Sequence, residues 1–237
     1  MKNLLDGIFE KKYYQKKKEF KKEMPNEPDY YVRYNNTIYL FENKDVLFSK
    51  KLKASRSIEP LMEFLKKKFF LSEKQKVGVQ QLIFSIQQIV NSEFEFDDAV
   101  NSKQNFEIFP ILIIQDRISQ APGINYILNN WFKDELRTTL GSKFDKNRVH
   151  NLTVIDIDTL IIWEPFIKNK ISIFKKLLLS HTEKLGRTKF NHRNAEEFTD
   201  KINKLLTPIS LRPTPFFIDK MKFLEKFETL RDRDCIT

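Results

Sequence analysis

The run Ile108-Phe-Pro-Ile-Leu-Ile-Ile114 fixes the class of fold more tightly than any other stretch of this chain. It is strand-sized, it shows no polar alternation, and a strand of that kind is stable only where both of its faces are covered. A sheet covered on both faces needs helices on both sides, which makes the expected architecture α/β, a mixed central sheet flanked by helices. The segment 152–163 (LTVIDIDTLIIW) is a second buried-strand candidate, and its end is also a candidate start for a helix running to about 185, with a break at Pro165. A helix over about 122–140 separates the two strands.

The amino-terminal half supplies the rest of the layer. The residues from Pro28 to Phe48 hold two aromatic and β-branched runs separated by Asn35-Asn36, which predicts a hairpin with strands at about 30–34 and 37–48. Before it, residues 3–23 read as a helix with a broken stripe of Leu4, Leu5, Ile8, Phe9, Tyr13 and Phe20, leaving little room for a strand ahead of the hairpin. Residues 57–70 and 75–91 read as helices, and 92–107 as a polar loop. In the second helix Val79, Leu82, Ile83, Ile86 and Val90 share a face. From 194 the tail reads as a helix, a connection through Pro208, Pro213 and Pro215, and a charged helix at 216–232. The expected division is therefore a domain over 1–190 and a helical addition over 191–237.

Composition narrows the function classes. Five glycines cannot assemble a glycine-rich nucleotide loop. The single cysteine, Cys235, excludes an intrachain disulfide and a cysteine-rich zinc site, and a reducing cytoplasm suits such a chain. No segment has the apolar length of a signal peptide or a membrane span. The formal charge of +10 favours a polyanionic partner.

Chemistry concentrates in the hairpin. On the strand TIYLFENK the side chains of Ile38, Leu40, Glu42 and Lys44 share one face, and both faces are apolar before Glu42. A carboxylate and an ammonium on such a strand are expensive unless they are used or paired. Folding about Asn35-Asn36 brings Asp29 back to the level of Glu42. Two converging carboxylates offer hard oxygen ligands to Mg²⁺ or Mn²⁺, with the carbonyl of Asn43 as a third, and a nearby lysine can orient water and stabilise charge on a phosphate. The plainer alternative is an exposed Glu42–Lys44 ion pair with Asp29 as a turn residue.

Pro28-Asp29 followed by Glu42-Asn43-Lys44 on the next strand resembles the PD-(D/E)xK nuclease superfamily, whose fold is restriction-endonuclease-like. The resemblance covers about residues 28–90. It implies that Asp29 and Glu42 are metal ligands, that Lys44 positions the water, and that a glutamine on the following helix assists. Gln80, which flanks the apolar face, is chosen over Gln81, which points away from it. A glutamate on the first helix is a further ligand in many members, and Glu10 is the nearest match, ahead of Glu19 and Glu23. The implied activity is a divalent-metal-dependent endonuclease, a hydrolase of phosphodiester bonds, of DNA ahead of RNA, in defence or repair. The alternative is an inactive module of the same fold that binds nucleic acid or a protein partner. A homodimer or a larger complex stays open, and no membrane partner is expected.

Other candidates have ordinary explanations. Asp156 and Asp158 share a strand face, but their plainer reading is a strand end with a helix cap at Asp158, which precedes Thr159. His150, His181 and His192 lack ligand spacing. Phe64, Phe69 and Phe70 beside Lys66, Lys67 and Lys68 could stack bases and hold phosphates, or could be a helix with aromatics inside and lysines outside. Lys16, Lys17 and Lys18 with Lys21 and Lys22 are candidates for phosphate contacts or a solvated face. Asp116-Arg117 suits a local salt bridge.

Overall fold

The computed structural model describes residues 1–10, 15–16, 28–54, 57–70, 77–101, 105–116, 121–144, 148–185 and 195–211. The architecture is α/β. A mixed sheet holds β1 (Gln15–Lys16), β2 (Tyr30–Tyr34), β3 (Thr37–Lys44), β4 (Glu107–Ile114) and β5 (Thr153–Asp156) in that spatial order. β1, β2 and β3 run antiparallel to one another in turn, whereas β4 and β5 run parallel to β3. The β2–β3 turn is the two residues Asn35-Asn36, with Asn35 at φ +53°, the left-handed backbone that asparagine tolerates.

The alternation of β3 and β4 sorts their side chains into two cores. Ile38, Leu40, Leu112 and Ile114 join Tyr31 against α3 (Glu59–Leu65), α4 (Val79–Asn91) and α6 (Ile124–Leu140). Tyr39, Phe41, Phe109, Ile111 and Ile113 face α1 (Lys2–Ile8), α7 (Ile157–Ile167) and α8 (Ile171–Thr182). Both faces of β4 are thereby dry, as its unbroken apolar run requires. Pro110 sits mid-strand without a ladder donor. The β5 side accommodates it: Ile108 bridges Val149 but Ile111 pairs with Thr153, so the partner carries one extra residue opposite the proline.

Among the described strands β5 lies at one end of the sheet, and side chains of α6 close the backbone groups of Leu152 and Val154 there. Asn125 Nδ2 donates to the Leu152 carbonyl at 2.8 Å, and Asn125 Oδ1 accepts from Val154 N at 3.1 Å and from His181 Nε2 at 2.6 Å. Asn129 Oδ1 accepts from Leu152 N at 2.8 Å. Asn125→Ala strands all three buried partners of its amide, and the expected loss is about 2–4 kcal/mol in denaturant unfolding. A loss below about 1 kcal/mol would mean that water replaces the amide.

Several sequence expectations are corrected. The helix read over 3–23 ends at Ile8, and a strand, β1, follows where none was expected. The strand read to Phe48 stops at Lys44 and is followed by a short helix, α2 (Lys50–Lys53). The single helix over 57–70 is α3 followed by a π-turn at Lys66–Phe70. The loop at 92–107 contains α5 (Asp98–Asn101). The segment 152–163 is a strand only to Asp156; α7 then passes through Pro165 without ending there. In the tail, α9 (Ala195–Leu206) packs on α6, with Gly123 N donating to Leu206 O at 2.9 Å, and Ile209 enters the α1–α7–α8 core. The predicted helix at 216–232 lies outside the described residues.

Candidate active site at the end of the hairpin

The register of the hairpin decides what can meet. Tyr30 pairs with Phe41 and Tyr31 with Leu40, so one further step places Asp29 opposite Glu42 on the face that carries Leu40. The chain is held there by Asn43 N, which donates to Asp29 Oδ2 at 2.7 Å. On the other side Glu42 is in register with Leu112 and Lys44 with Ile114, so the pair projects from the middle of the sheet.

Glu42 is fully buried, and among the described residues neither of its carboxylate oxygens meets a hydrogen-bond donor. The charges that act on it are those of the Asp29 carboxyl and the Lys44 ammonium. Burial first, and the Asp29 charge second, push the Glu42 carboxyl up to about 9, against an opposing pull from Lys44. Lys44 Nζ lies 3.9 Å from Glu42 Oε1, too far for a tight hydrogen bond. The Glu42–Lys44 ion pair of the plainer alternative is thus present at its long limit, but it is buried on the Glu42 side rather than exposed.

Lys44 is oriented from α4. Its Nζ donates to Gln81 Oε1 at 2.9 Å, and the same oxygen accepts from Gly78 N at 2.9 Å. Gln81 thus closes the first turn of α4 as a capping-box residue and holds the ammonium with the same atom. The helical pattern favours Gln80, but the glutamine that reaches Lys44 is the next residue, Gln81. The signal was present in the sequence as Gly78-x-x-Gln81, which has capping-box spacing.

Gly78 is required at this junction. Its φ is +51°, and a Cβ there would lie 2.8 Å from the Phe69 carbonyl oxygen and 3.4 Å from Lys44 Cε. Gly78→Ala is expected to lower stability by about 1–3 kcal/mol, read as a shift of the denaturation midpoint. An unchanged midpoint would mean that the π-turn yields at Phe69.

The other candidates disperse. Glu10 is bound to Lys168 at 3.3 Å and Asn169 at 3.5 Å, and among the described residues no group of three or more His, Cys, Asp or Glu side chains is placed to share an ion. Glu10 is thus not brought to Asp29 and Glu42. Asp156, rather than Asp158, caps α7, accepting from Thr159 N at 2.9 Å and Thr159 Oγ1 at 2.6 Å. His150 pairs with Glu107 at 2.8 Å and stacks on Phe109, with Lys175 also on Glu107. His181 is buried against Asn125. Asp116 Oδ2 accepts from Phe48 N at 3.2 Å. Phe69 and Phe70 are buried and Phe64 packs on Phe48, so the aromatics face inward and Lys66–Lys68 outward. Glu19, Glu23, Lys17, Lys18, Lys21, Lys22, Arg117 and His192 lie outside the described residues, and Lys16 is described only as backbone in β1.

Two carboxylates meet at one level, one of them buried without a donor, and like charges so placed are relieved by a cation or a shared proton. Among the described residues no helix is long and apolar enough to cross a membrane. Comparison of the chain with protein-family models, with curated proteins and with solved structures finds no match.

Proposed function

We propose that this chain is a Mg²⁺- or Mn²⁺-dependent nuclease of the PD-(D/E)xK type, with a restriction-endonuclease-like core, acting on DNA ahead of RNA. One observation carries the reading: the donorless, fully buried Glu42 carboxylate faces Asp29, beside a lysine fixed by its own partner. A sheet interior tolerates such a carboxylate when its charge has a use. The order of the sheet supports the same reading, since the acidic hairpin pairs in parallel with β4, which puts Lys44 at the carboxyl end of the parallel strands.

Asp29 and Glu42 would hold the cation, with the Asn43 carbonyl beside them. When bound, the cation supplies charge neutralisation at the scissile phosphate and lowers the cost of deprotonating water. Lys44 orients the attacking water and stabilises the charge that builds on the phosphoryl oxygens. Gln81 keeps Nζ extended towards Glu42 rather than free to rotate, and the Asp29–Asn43 hydrogen bond keeps the two strands in register at the site.

The test is cleavage of a supercoiled plasmid by the purified chain. The expected result is cutting with Mg²⁺ or Mn²⁺, none with chelator, and a fall of about 10²–10⁴-fold in Lys44→Ala at an unchanged melting temperature. Metal-independent cutting, or cutting that survives Lys44→Ala in full, would remove the assignment. Salt-sensitive binding with no cutting under any metal would leave the inactive-module reading in its place.

A further inference from the structure

The π-turn Lys66–Phe70 touches the site from the side. Gly78 at the head of α4 lies against both the Phe69 carbonyl and the Lys44 side chain, which puts the turn's backbone one glycine away from the site lysine. The turn is anchored from beneath. Phe69 and Phe70 are buried, and Phe70 packs edge-on against Trp131 of α6 at 6.0 Å between ring centroids.

Above that anchor Lys66, Lys67 and Lys68 are all exposed, and no acidic side chain among the described residues pairs with them. Three other surface lysines do have acidic partners: Lys168 meets Glu10, Lys175 meets Glu107, and Lys204 meets Asp200. Three adjacent like charges held on an anchored turn repel one another, and a polyanion lying across them relieves that repulsion while releasing its own counterions. The π winding matters because it places consecutive lysines outside while two consecutive phenylalanines go inside.

We infer that Lys66, Lys67 and Lys68 grip the phosphate backbone of a nucleic acid on the α3 side of the site, holding the strand as it passes Lys44. This rests on the nuclease reading for the position of the scissile phosphate. The grip itself concerns phosphates and not bases, so it is indifferent to sequence. The buried phenylalanines beside it are not available for stacking.

The experiment uses the full chain carrying Glu42→Gln, so that substrate is bound without being cut, and a fluorescent DNA duplex of about 20 base pairs. Affinity is measured across salt concentrations for this parent, for the added triple Lys66→Gln, Lys67→Gln, Lys68→Gln, and for a control triple Lys168→Gln, Lys201→Gln, Lys204→Gln. The expected result is a tenfold or greater loss near 0.1 M salt, on the order of that implied by three phosphate contacts, with the salt slope reduced by about two to three. The control triple should keep most of the parent's affinity and slope. If the π-turn triple fails to fold, the single variants Lys66→Gln and Lys68→Gln should each reduce the slope by about one.

Equal affinity in the parent and the π-turn triple would overturn the grip, as would an equal loss in the control. A parent that binds no duplex at any salt would overturn it too. The two readings separate cleanly. If the wild-type chain does not cut but the π-turn triple alone loses binding, the grip stands and the nuclease fails. If plasmid cutting is metal-dependent but its KM is unmoved by the triple, the nuclease stands and the grip fails.

Discussion

Glu42→Gln should abolish cleavage and, in chelator near pH 8, make the protein more stable. The two effects come from one cause. The carboxylate sits in the dry interior with no donor and an acidic neighbour, so the folded chain must either bury the charge or take up a proton that the unfolded chain has given up. An amide removes that penalty, and its NH₂ can donate to Asp29. A gain on the order of 1–3 kcal/mol in denaturant unfolding is expected. On the nuclease proposal one of two hard ligands is lost, and metal-supported cutting should fall by about 10³-fold or more. A structural ion pair predicts the opposite sign, because removing Glu42 would strand Lys44. A Glu42→Gln protein that is less stable than its parent in chelator would therefore sink the functional account of this residue.

How much of this was legible in the sequence follows from which contacts are local. Asp29, Glu42 and Lys44 were readable because a two-residue asparagine turn and the period of two fix a hairpin's register, whatever else the chain does. The buried runs at 108–114 and from 152 announced themselves in the same way. β1 was not readable: its two residues become a strand only because β2 presents an edge, and the surrounding Lys-rich stretch carries a broken helical stripe. The switch from α3 to a π-turn is also set from a distance, by the need to bury both Phe69 and Phe70, the second against Trp131 of α6. Gln81 was passed over for a different reason. Helical periodicity assigns a residue to a face, whereas in the first turn a side chain can curl back to the helix start, where Gly78 and Lys44 wait. Asp156 preceded Asp158 as the cap because the strand ended earlier than its apolar pattern did.

Cation binding should strengthen with pH over a window set by Glu42. With its carboxyl raised to about 9 by burial and by Asp29, the folded protein without metal holds a proton there through neutral pH, while the unfolded chain loses it near the ordinary value of 4.5. Between those limits the folded state binds more protons than the unfolded one, so the stability this group contributes is complete below about 4.5 and is lost as pH rises towards 9. A divalent cation needs the ionised carboxylate and must displace that proton. Its apparent affinity should therefore rise about tenfold per pH unit below the Glu42 value and level off above it. Titration calorimetry with Mn²⁺, repeated in two buffers of different ionisation enthalpy, should register release of close to one proton per ion near pH 7. Asp29→Asn removes the like charge and should shift the whole profile to lower pH while weakening the affinity at its plateau. Affinity that is flat from pH 6 to pH 9 would mean that the ion, if it binds, is not held by Glu42.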